Sequence, residues 1–427
     1  MRGIALTLRR REFIYIPLLL LSTGLLFAKN LIYAKLLPVA GFGALNEAIL
    51  VGSTFANFAG AGLPLLGHKL LPRDYARGEL DAVTDLLGAA LGVFGIASAV
   101  AAAALGVAAA GGLVKSTVWW YASLFYSVAQ YVFVLKLIDL KSDMRFVKHA
   151  LLSSTRAILL LGCGLLVAWL TRYVPAVLGT EALVTLLLSR PICAHVRGND
   201  VVRKALRLWS DHAWLLNNLP GALHLLWLNS MMTLLYALDR WSGLMLLTDH
   251  DYGILALGLM ALVVFETAQT IINVSAYPIM GRMIARGDHQ RAFGLATLAT
   301  AVIVGLSIVC YFPFIWLFDY MVHRYLPAYL EAAPVVKVAV LAGTLRLADF
   351  YGSFAVLCNR EKILARTFGV TVLVTAGLIA FLHLGAGVQF DPLRLTMVTL
   401  AVAMMGFVGN AIVAFIANRS MLSLKLT

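Results

Sequence analysis

Charge is scarce in this chain. Asp, Glu, Lys and Arg make up 13% of its 427 residues, against roughly 25% in an ordinary soluble domain. Only four cysteines occur, Cys163, Cys193, Cys310 and Cys358, and no two form a CxxC pair. A structural disulfide and a cysteine-held metal are therefore not expected. Nine histidines lack HExxH or comparable spacing, so no metal site and no cofactor is expected either. Long polar connections are missing too. A membrane-embedded glycan ligase, polymerase or acyltransferase would carry catalytic side chains on a large outer loop, and the connections here are too short for one.

What the chain has is apolar length. Hydrophobic residues reach 61% and the mean hydropathy is +0.88. A hydrocarbon core of roughly 30 Å needs about 20 apolar residues in a helix. Twelve stretches approach that length: 13–36, 43–66, 82–110, 117–137, 150–170, 173–189, 213–238, 252–278, 292–318, 330–357, 368–388 and 393–417. Their runs lack the alternation of a transmembrane barrel, and lipid offers no partner to a free backbone group, so each is predicted as an α-helix. The sixth is the weakest, being short and following Pro175.

The net charge of +13 reports topology. With an even number of spans both termini share one side. That side collects 23 of the 34 Lys and Arg residues, the other side has 6, and five lie within spans. This is the positive-inside asymmetry of a membrane protein with both termini cytoplasmic. Anionic lipid headgroups suffice as partners for the basic loops, and no nucleic acid is implied. Arg9-Arg10-Arg11-Glu12 before the first apolar run resembles a twin-arginine signal or a signal-peptide start. A cytoplasmic anchor for the first helix is the simpler reading, since no small-residue cleavage site follows cleanly.

The spans divide into two sets of six, predicted as domains 1–205 and 206–427. Phe42-Gly43 opens span 2 and Tyr252-Gly253 opens span 8. Pro64 and Pro278 lie near the ends of those spans, each followed three residues later by glycine (Gly67, Gly281) and then by a basic loop with Gly78-Glu79 or Gly287-Asp288. Six spans per half make such repeats parallel. The predicted fold is all-α and integral to the membrane, with about twelve helices in two pseudo-symmetric six-helix bundles around a central cavity.

Polar groups inside spans are costly, roughly 2.5–3.5 kcal/mol for a central charge, and normally face a cavity, a partner or water. Asn218, Asn229, Thr233, Tyr236 and Arg240 share a face of span 7 at about 100° per residue. Glu266, Gln269 and Asn273 do so in span 8, and Arg346, Asp349 and Ser353 in span 10. Interhelical hydrogen bonding is the alternative for the uncharged members. Arg346 and Asp349 are placed to neutralise each other, and Lys29 and Glu47 to form an ion pair at similar depth. Arg156 has no carboxylate in its own span; it either snorkels to the interface or stands in a cleft as a cation suited to a phosphate. Asp239-Arg240 and Asp249-His250-Asp251 read as solvated outer ends more readily than as acid–base machinery. Gly60, Gly62, Gly88, Gly92 and Gly95 mark close packing of spans 2 and 3.

Four segments together resemble the polysaccharide-flippase branch, the O-antigen (Wzx-like) flippases, of the multidrug/oligosaccharidyl-lipid/polysaccharide (MOP) exporters. They are AKLLPVAGFGALNEAI from Ala34, LDRWSGLMLLTDHDYGILALGLMALVV from Leu238, AYPIMGRMIARGD from Ala276, and YLPAYLEAAPVVKVAVLAGTLRLADFYGSFAVLCNREK from Tyr325. Asp251 departs from the small residue that many members carry. The resemblance implies two six-helix bundles around an often cationic cavity, as in MATE transporters. It also implies a polyprenyl-diphosphate-linked oligosaccharide as substrate, moved to the outer leaflet by alternating access for surface polysaccharide biosynthesis, with polysaccharide polymerase machinery among the partners. On that reading Arg156 and Arg346 contact the diphosphate, and Asn218, Asn229, Gln269 and Asn273 contact sugar hydroxyls. Lys29, Glu47, Glu266 and Asp349 are the ion-pair or coupling residues, with H+ or Na+ coupling open. A MATE-like ion-coupled drug antiporter is the nearest alternative, with Glu266 as its coupling carboxylate, and an integral-membrane glycan enzyme is a more distant one.

Overall fold

The structure is a computed structural model that describes residues 2–112, 117–190, 198–206, 213–358 and 360–423. Every regular element among them is helical. Among the described residues nine helices are long and apolar enough to cross a membrane, and Val174–Leu188 is a shorter apolar helix. Cys193 lies outside the described residues.

Contacts group the chain into two compact units, Met1–Leu37 with Ala44–Trp227, and Pro38–Gly43 with Leu228–Thr427. Unit 1 contains α1 (Arg2–Leu36), α2 (Val39–Ala59, less its first turn), α3 (Leu63–Arg77), α4 (Leu80–Ala110), α5 (Thr117–Ser142), α6 (Phe146–Leu159), α7 (Leu165–Thr171), α8 (Val174–Leu188) and α9 (Gly198–Leu206). A π-helical turn, Leu160–Gly164, joins α6 to α7. The division falls within α10 (Ala213–Leu246). Unit 2 continues with α11 (Asp249–Ala285), α12 (His289–Tyr325), α13 (Ala332–Leu347), α14 (Phe350–Leu357), α15 (Glu361–Ala380) and α16 (Pro392–Ser423).

Two expected continuous spans are broken. The stretch 43–66 divides between α2 and α3 at Gly60–Gly62, where Ala61 and Gly62 take φ of 48° and 75°. A side chain at Gly62 would be strained there, and its Cβ would lie 2.0 Å from the Ala222 carbonyl oxygen. Pro64 then occupies the first turn of α3, where its missing N–H costs nothing. The segment before Pro278 reads Ser275-Ala276-Tyr277, and with no glycine pair to turn the backbone, α11 runs on through it. The stretch 330–357 divides at Ala348-Asp349 into α13 and α14.

Lipid tails are as apolar as leucine, so these helices associate by close packing and hydrogen bonds. Gly60 admits the Tyr131 ring, with a Cβ contact of 2.6 Å, and Gly88 admits the Lys204 stem at 2.6 Å. The latter seats α9 on α4, where Lys204 also pairs with Asp85 at 2.6 Å. Gly95, expected at a close contact, has open space around it. In unit 1, α5 packs against α8, α3 and α4; in unit 2, α13 packs against α16, α11 and α12.

Candidate functional site

Unit 1 buries an ionic cluster. Lys29 Nζ lies 2.5 Å from Oε1 of Glu181 on α8, and Tyr33, one turn along α1, donates its hydroxyl to the same oxygen at 2.9 Å. Lys29 and Glu181 are 4% and 1% exposed. Room for the Tyr33 hydroxyl is left by Gly164 in the π-helical turn. Arg156 of α6 donates from Nε to Thr185 Oγ1 at 3.0 Å, and its guanidinium carbon is 4.7 Å from the Phe133 ring centre. Glu181 and Thr185 are four apart on α8, so both cations meet one helix face. Tyr126 of α5 interacts electrostatically with Arg156. The cluster thus places two cations, Lys29 and Arg156, around the single carboxylate Glu181.

Glu181 on Lys29 corrects the expected Lys29–Glu47 pair. Similar depth along two helices does not decide which faces meet, and Glu47 sits half-buried on α2.

Unit 2 has a second cluster, and here too the pairing differs from expectation. Arg346, 4% exposed, bonds through Nη1 to Glu266 Oε1 at 2.9 Å and stacks 4.7 Å from the Tyr236 ring centre. Its partner is therefore Glu266 on α11, with Asp349 left to another task. Asp349 follows the end of α13 and caps α14, accepting from the Gly352 amide at 3.1 Å. Its other oxygen accepts from Asn410 of α16, and its carbonyl accepts from Gln269 Nε2 at 3.4 Å. Ser353 and Asn273 meet at 3.4 Å. Tyr236, Gln269, Asn273, Asp349, Ser353 and Asn410 line a cavity of about 250 Å3. Two carboxylates, Asp349 and Glu361, are in its wall.

Of the expected site residues, Gln269, Asn273 and Asp349 come together at this cavity, with Arg346 and Glu266 behind Tyr236. Asn218 bonds to the carbonyl of Trp214 at 2.9 Å and Asn229 to Thr233 at 3.4 Å, both within α10. Asp251, the departure noted in the sequence, belongs to the N-cap of α11: its amide donates to Thr248 Oγ1 at 3.2 Å, and the Thr248 hydroxyl donates back to its carboxylate at 2.9 Å.

A second cavity, of about 320 Å3, was not expected. It lies in unit 1 between α2, α3 and α5, and is lined by Ser53, Asn57, His68, Tyr126, Gln130 and Tyr131 with apolar neighbours. The His68 imidazole is pushed below its ordinary value of 6.5 by burial and then by the Lys141 charge. The α2–α3 break forms one wall, a feature that an unbroken span 2 hides. Asn57 and Gln130 are amides inside apolar spans, the same signal that pointed to Gln269 and Asn273.

No protein-family model matches the sequence, and no curated protein matches it. Solved structures do. A point mutant of the Vibrio cholerae MATE transporter VcmN aligns with a TM-score of 0.61 at 14% identity, covering 97% of this chain and 98% of that one. An outward-facing multidrug resistance MATE transporter of the MOP superfamily aligns at 0.56 and 12%, covering 98% and 96%. A Pyrococcus furiosus MOP superfamily transporter, described by the reverse polarity of its binding pocket, aligns at 0.58 and 11%, covering 98% and 96%. The chain therefore has the fold of the MATE transporters of the MOP superfamily, an all-helical, multi-pass membrane fold.

Proposed function

We propose that this protein is a flippase that moves a polyprenyl-diphosphate-linked oligosaccharide from the cytoplasmic to the outer leaflet by alternating access. Its place would be the bacterial inner membrane, with both termini cytoplasmic and the polymerase machinery as partner. A diphosphate and several hydroxyls cannot cross hydrocarbon unaided, because each unsatisfied polar group costs kilocalories. The observation that carries the reading is the charge excess of the unit 1 cluster, where Lys29 and Arg156 surround one carboxylate. A buried cation excess suits an anionic headgroup. Arg156, held by a hydroxyl and an aromatic ring, is the diphosphate contact in this reading. Arg346 is spoken for by Glu266 and supports the unit 2 cavity, where Gln269 and Asn273 meet hydroxyls.

The test is complementation of surface-polysaccharide export in a deletion strain. Arg156→Ala is expected to abolish export, and export at the wild-type level would overturn the assignment. A MATE-like ion-coupled drug antiporter is the second reading, favoured by the carboxylates in the unit 2 wall and by the multidrug relatives of this fold. Drug sensitivity with normal polysaccharide in the deletion strain would select it. Labelled lipid-linked glycan in vesicles separates transport from an enzyme, since translocation leaves the glycan's bonds unchanged.

A further inference from the structure

The unit 1 cavity differs from the unit 2 cavity in one chemical respect. Among the described residues its wall contains no Asp, Glu, Lys or Arg. What it offers are two amides, Asn57 and Gln130, the hydroxyls of Ser53 and Tyr126, an imidazole, and the rings of Tyr126 and Tyr131. Gln130 Nε2 is enclosed, and although it interacts with the Tyr126 hydroxyl no hydrogen bond of full geometry satisfies it among the described residues. An enclosed donor without an acceptor is costly unless a water or a ligand supplies one.

The wall is also preformed. Tyr131 is stacked on Phe94 at 3.8 Å, nearly parallel, and its hydroxyl is tied to the Ala90 carbonyl at 3.1 Å. Gly62 fixes the α2–α3 break on which Pro64, Leu65 and His68 sit. His68 is kept neutral by burial and by Lys141, so the cavity stays uncharged at neutral pH. Amides both donate and accept, as sugar hydroxyls do, and aromatic rings offer an apolar face beside a polar tip. An aliphatic ligand would leave the amides unanswered, an acyclic polyol would bring no apolar ring face to the tyrosines, and an ion would find no counter-charge in the wall.

We infer that the unit 1 cavity is a binding site for an uncharged pyranose ring, read by Asn57 and Gln130 and packed against Tyr126 and Tyr131. The inference deepens the flippase reading and rests on it for what the ring is attached to. Tyr126 lines the cavity and interacts with Arg156, so a ring bound here adjoins the cation cluster.

The experiment uses the full chain in lipid nanodiscs free of glycoside detergent, since a maltoside headgroup would compete. Saturation-transfer NMR is run with methyl glucoside, methyl mannoside, methyl galactoside, glucosamine and N-acetylglucosamine, beside sorbitol, inorganic pyrophosphate and tetraphenylphosphonium. Transfer to the ring protons of at least one pyranoside is expected, with none to sorbitol. The double variant Asn57→Leu/Gln130→Leu should reduce it at least fivefold, whereas Cys310→Ala, at an exposed position on α12, should not. Because the double variant adds apolar bulk, Gln130→Glu serves as a shape-preserving second arm. Its new carboxylate should shift preference from methyl glucoside toward glucosamine. Absence of pyranoside transfer, or transfer equal in wild type and both cavity variants, overturns the inference, and so does transfer to tetraphenylphosphonium alone. No pyranoside transfer in a chain that supports export would refute the cavity assignment and leave the flippase reading. Pyranoside transfer in a chain that fails to complement export would do the reverse.

Discussion

Gly164 and Tyr33 meet so closely that a Cβ at position 164 would lie 2.1 Å from the tyrosine oxygen. The hydroxyl that occupies this space is the one that donates to Glu181, so the glycine holds the buried ionic cluster in register. Gly164→Ala should displace Tyr33 and destabilise the protein by about 1–3 kcal/mol, the range for overpacking. Tyr33→Phe removes the clashing oxygen, and the pair Gly164→Ala/Tyr33→Phe should be less damaged than the two single effects added. Thermal midpoints of the four proteins in nanodiscs decide this; strict additivity would sink it.

Lys29 neutralises a carboxylate that is 1% exposed. Lys29→Met leaves Glu181 charged and enclosed, with an expected loss of about 3–5 kcal/mol. Adding Glu181→Leu should restore part of that stability, because an apolar pair needs no counter-charge while the Tyr33 hydroxyl loses its acceptor. Denaturation of the single and double variants is the check. A double variant no better than Lys29→Met would mean that Glu181 is not the group Lys29 serves.

Thr248 and Asp251 exchange hydrogen bonds at the start of α11. Thr248→Ala should cost about 1 kcal/mol, the usual worth of an N-cap. Once it is gone, Asp251→Ala should cost little more, since the carboxylate has lost the hydroxyl that donates to it. Hydrogen exchange in the first turn of α11 would report the loss locally.

The native imidazole of His68 binds its proton less readily than the ordinary 6.5, through burial and the Lys141 charge. Above that pH neither the native nor the unfolded chain carries the proton, and the residue adds no pH dependence. As pH falls through 6.5, the unfolded chain takes up a proton that the native chain refuses, so stability drops. His68→Gln should flatten this part of the curve between pH 7 and 5. Parallel curves for the two proteins in that window would rule the effect out.

The positions of most helices were legible because length and apolarity decide them: 82–110 was expected where Leu80–Ala110 is found, and 117–137 where Thr117–Ser142 is found. The amide face of α11 was legible for the same reason, since Gln269 and Asn273 are one turn apart. Breaks inside apolar runs were not. Gly60-Ala61-Gly62-Leu63-Pro64 carries turn chemistry, but hydropathy averages across it, and the unit 1 cavity went unseen with it. Ion-pair partners are not legible in the same way, because depth along a span follows from sequence, whereas the direction a face points depends on its neighbours. Glu181 in span 6 was an intramembrane carboxylate in plain view, and its presence alone called for a cationic partner.

The π-helical turn between α6 and α7 has a geometric effect beyond its own five residues, Leu160–Gly164. Such a turn holds a surplus residue relative to the regular spiral, and each residue of an α-helix rotates the surface by about 100°. Arg156 upstream and the wholly enclosed Ala168 downstream therefore keep their present directions only while that surplus is in place. Ironing it out would swing one segment toward the acyl chains by more than a quarter of a circle, so a single-residue deletion there amounts to a change of phase.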